Sequence, residues 1–470
     1  MTKAEIFYKD IGDYLSREDK LKIVREGKSI LNPDIGMNKL NPNEQGDWIN
    51  KRNSMFDDFI PIEPEKKFDS KTQSFFNFFV SALVTSRDAW VYNFSDKSLK
   101  RNMKEMINFY NTQRELIDYE TKDNLVENIE KNLDINPNKI SWSVNLKNDL
   151  INNVIHNFNV NALRESMYRP FTKTNLFFDN KFIERPGAWS QLLPTENHKN
   201  IVICVTGKSL FSFSVLISNH ITEFGFLNGR NGTTQCFPLY WYEKKELAQG
   251  GLFEPVEEQY TRHNAISDFI FEQAKNRYGS RVTKEDIFYY VYGILHSPDY
   301  RKTFANDLKK MLPRLPLVEI VADFWTFSDA GRKLADIHLN YEEQEVPKEL
   351  LINGKPLPKS PFPNEHLTVN KMSFPSKEQK DTIIYNSHIT ISNIPERAYN
   401  YIVNGKSAIE WVMERYAVTI HKESGIKNDP NDWATEHDNP QYILNLLLSV
   451  ISVSLKTVDI VATLPKVEWK

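Results

Sequence analysis

Only two cysteines, Cys204 and Cys236, occur in 470 residues. Their spacing matches neither a metal-ligand set nor a disulfide framework, and a reducing cytoplasm fits such usage. Basic residues are not in excess: 59 Lys and Arg stand against 62 Asp and Glu, for a net charge of −3. That weighs against binding nucleic acid by bulk charge, although a chain can gather its positive side chains on one face. The start, MTKAEIFYKD, has no apolar signal core. No apolar run reaches the roughly 20 residues of a membrane span. The nearest, ILNLLLSVISVSL (443–455), is interrupted by Asn445, Ser449, Ser452 and Ser454 and reads as a buried core helix. Its expected start is Asn439 as cap with Pro440 in the first turn. Repeats and low-complexity tracts are missing too.

What is present is an ordinary globular composition, 40% hydrophobic and 26% charged, with 29 Phe and 20 Tyr. The length implies two or three units. Ser16 with Asp19 caps a helix at SREDKLKIV, and Ser95 opens an amphipathic helix in which Leu99, Met103, Met106, Ile107 and Tyr110 share one face. From about 140 to 242 the pattern turns to strands, with IVICV (201–205) fully buried and FSFSV (211–215) half-buried. Beyond 262 it turns helical: Gly279 stops one helix, and Thr283 with Asp286 boxes the next. Ser297-Pro298 starts another that runs to Pro313 and Pro316. Residues 343–375 hold six prolines and read as a surface excursion. DTIIYNSHITIS then predicts a strand pair, and Ser407 with Glu410 boxes a last short helix.

Several strings imitate catalytic motifs. Pro298-Asp299 and Asp307-Leu308-Lys309 spell a compressed nuclease signature. On one continuous helix the two acids lie roughly 80° and about 12 Å apart. A Mg²⁺ ion needs ligands at about 2.1 Å, so this pair makes no metal site. TGKS (206–209) and NGKS (404–407) lack the earlier glycine of a phosphate loop, having Val202 and Asn400 in its place. NPQY (439–442) approaches the adenine-gripping tetrapeptide of amino-methyltransferases, but WATEHD precedes it where an apolar strand is needed.

The basic positions carry more. Lys97, Lys100, Arg101 and Lys104 fall at i, i+3, i+4 and i+7, a stripe suited to a phosphate backbone or to plain solvation opposite the apolar face. In RESMYRPFTKTNLFFDNKFIERP, Arg164, Arg169, Lys173, Lys181 and Arg185 are interleaved with aromatics that can wedge or stack at bases. FLNGRNGTTQ (226–235) adds Asn228, Arg230, Asn231 and Gln235 on a glycine-rich turn, side chains of the kind that read base edges.

The strings FYKDIGDYLSREDKL, GDWINKR, RDAWVYNF, MYRPF, QCFPLYWY, VTKEDIFYYVYGILHSPDYR, LPRLP, AGRKLADIHLNYE and VNGKSAIEWVMERY resemble, in order and nearly end to end, the C-terminal part of type ISP restriction–modification enzymes. Those are single chains joining a nuclease, a translocating motor, an adenine methyltransferase and a target-recognition domain. The resemblance implies that residues 1–60 are the end of a methyltransferase region, 61–250 a mixed α/β target-recognition part, and 251–470 a helical specificity part. The expected fold is α+β, a sheet-rich part packed with a largely helical one.

The expected function is sequence-specific recognition of double-stranded DNA without autonomous catalysis. No cofactor is expected in this chain; S-adenosylmethionine would belong to an associated methyltransferase domain. Two rivals remain: a methyltransferase fragment active only with a partner chain that supplies the cofactor domain, and a non-catalytic protein-interaction module. A methyltransferase, helicase or nuclease chain is a further expected partner; a membrane is not.

Overall fold

A computed structural model describes residues 4–12, 15–49, 51–68, 71–119, 125–208, 212–227, 233–245, 259–358, 362–467 and 469. The fold is α+β, with a sheet-rich first half and helices concentrated after residue 267. One apolar core runs from Phe56 to Leu464.

Two four-stranded sheets organise the first half. One has the order Ile221–Thr222, Leu163–Arg169, Thr172–Phe177, Tyr92–Asn93; the other Val80–Ser81, Thr234–Pro238, Val202–Thr206, Val215–Ser218. The Val202–Thr206 strand is buried along its whole length, because both its faces are covered. FSFSV behaves differently from its alternation: the strand begins only at Val215 and is buried throughout, while Phe211 lies outside the described residues. Cys204 and Cys236 face each other across adjacent strands, their sulfurs 3.7 Å apart and both buried. A single segment, 80–93, supplies an edge strand to each sheet, and between those strands Leu83 bridges Glu223 and Val84 bridges Arg185.

Capping chemistry places the helices. Ser16, Ser95 and Ser267 each accept the N–H three residues on. Thr283 with Asp286, and Ser407 with Glu410, form reciprocal boxes. Lys284–Ile294 and Val321–Leu339 cross so closely that a Cβ on Gly331 would overlap the Tyr289 carbonyl, and one on Gly293 the Phe327 carbonyl. Tyr442–Ala462 is long and apolar enough to cross a membrane, but most of it is buried within the protein.

Three expectations shift. The stretch after Ser297 is two pieces, Pro298–Thr303 and Asp307–Lys310, because Asp307 turns inward. Its carboxylate accepts the Asn53 N–H at 3.0 and 3.2 Å, across 254 residues of sequence. The last helix starts at Tyr442 rather than after Asn439, since the Asn439 N–H donates to Ala434 O at 2.8 Å and closes the preceding helix. The proline-rich segment is not only surface: Leu350, Ile352, Leu367 and Val369 are buried, and Leu351–Ile352 is an inner strand of a third four-stranded sheet.

The N-terminal part differs from the rest. Between residues 4 and 49 no described residue is buried. The Arg17–Gly27 helix leaves Val24 69% exposed, and Leu31 beyond it is 87% exposed.

Candidate nucleic-acid interface

The helix Asp96–Glu115 puts Leu99, Met103, Met106, Ile107 and Tyr110 into the core, which turns Lys97, Arg101 and Lys104 outward as one exposed stripe. Lys100 is different in kind, its Nζ lying 2.5 Å from Asp96. Lys104 also lies over the Phe158 ring, 5.1 Å from its centroid. Such side chains keep their charge in water and are available to a polyanion.

A second group gathers at the edge strand Val80–Ser81. Ser81 Oγ donates to Gln235 Oε1 at 3.2 Å, and Val84 pairs through the backbone with Arg185, whose side chain is exposed. Asn228, Arg230 and Asn231, the candidates a few residues before Gln235, lie outside the described residues. Lys181 is exposed four residues before Arg185.

The remaining candidates go elsewhere. Arg164 lines a cavity of about 830 Å³ together with Lys199, Tyr240 and Arg262. There the Arg262 guanidinium stacks on Tyr240 at 4.3 Å, and His220 beside Glu165 holds that carboxyl down to about 2. Arg169 is largely buried and ion-paired to Glu223, which also accepts the Gly225 N–H at 2.7 Å. Burial pushes the Glu223 carboxyl up, and the Arg169 charge opposes that rise. Lys173 pairs with Glu342 at 2.8 Å. These two cations already hold internal partners. Asp299 and Asp307 make no joint site, and among the described residues no group of His, Cys, Asp and Glu gathers for a metal.

The sequence model of the Type ISP C-terminal specificity domain matches residues 74–446. The chain belongs to this family. Its fold matches a nuclease-deletion mutant of the Type ISP restriction–modification enzyme LlaGI in complex with a DNA substrate mimic, at 38% identity and TM-score 0.82. That match covers 99% of this chain and 39% of the other. The ATP-dependent Type ISP enzyme LlaBIII bound to DNA matches at 34% identity and TM-score 0.85, covering 99% and 28%. A DrdV–DNA complex, 24% identical over 98% of this chain and 43% of that one, shares the fold at TM-score 0.80. The chain thus spans less than half the length of each of these relatives. No curated protein matches it.

In this Type ISP specificity domain, one cluster had no separate signal in the sequence. Arg87, Arg415, His421 and Lys422 line a cleft of about 860 Å³ beside Asp88, Trp90, Tyr168 and Thr174. Arg87 and Arg415 stand inside the family strings RDAWVYNF and VNGKSAIEWVMERY. An arginine next to aromatics in such strings is the trace that was available.

Proposed function

We propose that this chain is a duplex-DNA recognition module of a restriction–modification system and carries no chemistry of its own. One observation supports the reading above the rest. Over 99% of its length the chain matches parts of two Type ISP enzymes solved with DNA or a DNA mimic, at 38% and 34% identity. On this reading Lys97, Arg101 and Lys104 neutralise phosphates and set register, while Arg185, Gln235, Asn228, Arg230 and Asn231 read base edges. S-adenosylmethionine belongs to an associated adenine methyltransferase domain that flips the target base, in the cytoplasm where host DNA lies. The test is anisotropy binding to labelled duplexes at increasing salt. Affinity that falls steeply with salt supports the reading, and duplex binding at background level contradicts it.

A second reading is favoured by the bare apolar residues between 4 and 49. The chain would complete a methyltransferase held on a partner chain. Methyl transfer that arises only when the two are mixed supports it; a mixture no more active than its parts sinks it.

A further inference from the structure

Three of the strings that carry the family resemblance meet at one place. RDAWVYNF brings Arg87, Asp88, Trp90 and Tyr92, MYRPF brings Tyr168, and VNGKSAIEWVMERY brings Glu414 and Arg415. Together with the 419–426 hairpin they enclose the 860 Å³ cleft. The same segment, 81–96, leads from the Gln235 contact past this cleft to the first turn of the basic helix.

Its polar inventory is unbalanced. Arg87 is 4% exposed; its Nη2 donates to Ser143 Oγ, while Nε and Nη1 have no hydrogen-bond partner. Arg415 Nε and Thr174 Oγ1 are likewise buried and unpartnered. Of the three carboxylates in the cleft wall, Glu423 lies exposed on the hairpin, and the other two are spoken for. Asp88 accepts from Thr85 and, at 3.2 Å, from Tyr168, and Glu414 takes Lys406 and Arg415. Glu184 acts on Arg87 through charge alone, with no hydrogen bond between them. Burial pulls the Arg87 guanidinium down to about 10, which leaves it cationic at neutral pH. A buried cation with two idle N–H groups is strongly unfavourable unless an anion completes it. Ser86, just before it, is held at a φ of 56°, a strained conformation of the kind found at ligand clamps. At the mouth stand His421 and Lys422.

We propose that this cleft is an oxyanion site that takes a phosphate group, gripped by Arg87 and Arg415 and guided in by Lys422. Guanidinium groups suit phosphate because several N–H donors meet several acceptor oxygens. The volume leaves room for a nucleoside attached to that phosphate. The group comes either from a free nucleotide or from the backbone of a DNA strand. The assignment stands without the DNA-reading proposal, since a free phosphate is sufficient to reveal it.

The test uses the whole chain with three probes: inorganic phosphate, deoxyadenosine monophosphate, and a 20-base-pair duplex. Phosphate is expected to raise the thermal midpoint of the wild type in a saturable way, as any ligand of the native state does. Chloride at equal ionic strength should not. R415Q and K422E should weaken phosphate binding about tenfold while keeping a native circular dichroism spectrum. R87Q should abolish it; should R87Q fail to fold, the two outer variants decide alone. K377Q, at an exposed lysine outside the cleft, serves as the control and should bind as the wild type does. Tight binding of the mononucleotide assigns the site to a free nucleotide, and loss of duplex affinity alone assigns it to the DNA backbone. No saturable phosphate effect, or equal effects in wild type, R415Q and K422E, overturns the proposal, whatever the duplex does.

Discussion

His338 Nε2 lies 2.9 Å from Thr457 Oγ1, and the Thr457 hydroxyl spends its own hydrogen on Val453 O at 2.7 Å. The ring must therefore donate through Nε2, which leaves Nδ1 to accept from the Tyr292 hydroxyl at 2.7 Å. One neutral imidazole thus bridges three helices: Lys284–Ile294, Val321–Leu339 and Tyr442–Ala462. A protonated ring would bring a second N–H to the Tyr292 oxygen and a charge into a fully buried site.

That arrangement makes the fold sensitive to acid. Burial pulls His338 down to about 3, from an ordinary value near 6.5, and pulls His296 down as well. Between those limits the unfolded chain binds the proton and the folded one does not. Stability is therefore full above about pH 6.5 and falls as pH drops toward 3, by about 1.4 kcal/mol per pH unit for His338, with His296 acting in the same direction. Urea denaturation at pH 7.5, 6.0 and 5.0 should show the decline. H338Q should be less stable than the wild type at pH 7.5 and should show a shallower slope.

The helix crossing at Gly293 and Gly331 offers a steric test. A Cβ at either position meets backbone carbonyl groups of the facing helix, which cannot swing aside. G331A is expected to cost about 2–4 kcal/mol through overpacking, read as a fall in the thermal midpoint or as insoluble expression. A G279A substitution, where a Cβ meets nothing within 4 Å but φ is +102°, should cost less, through backbone strain alone.

Much of the local structure was legible in the residues, and the reason is that caps are local. Ser16, Ser95, Thr283 with Asp286, and Ser407 with Glu410 act over three residues, so spacing reveals them. The long apolar run at 443–455 was legible as a core helix for a similar reason, its serines bonding to nearby carbonyls such as Ser454 to Val450. Distant contacts were not. Asp307 finds Asn53 across 254 residues and breaks the expected helix, and Leu351–Ile352 pairs with Thr390–Ser392 to pull a proline-rich stretch into a sheet. Among the basic candidates, sequence spacing picked out Lys97, Lys100, Arg101 and Lys104, of which the first, third and fourth are exposed while Lys100 pairs with Asp96. It had no means of seeing that Arg169 points at Glu223 or Lys173 at Glu342.

Those two classes of cation should separate by experiment. R169A leaves the buried Glu223 carboxylate without its guanidinium and is expected to cost about 3–5 kcal/mol of stability. Charge reversal at Lys97 with Arg101, both exposed, should leave the unfolding midpoint within about 0.5 kcal/mol of wild type. Any effect of that double variant should appear in duplex affinity instead.

Between residues 4 and 49, V24D with L31D changes two largely exposed side chains. Thermal unfolding of the isolated chain should be unaffected. Should a partner chain be required for methyl transfer, the same double variant should reduce co-purification with it, and unchanged co-purification would place the contact elsewhere.

The most direct test of the DNA-reading account is the slope of log affinity against log salt for a duplex, compared between the wild type and K97E with R101E. The account predicts a steep slope for the wild type and one shallower by about 1 for each phosphate contact removed. A wild-type slope near zero, or no duplex binding at low salt, would contradict it.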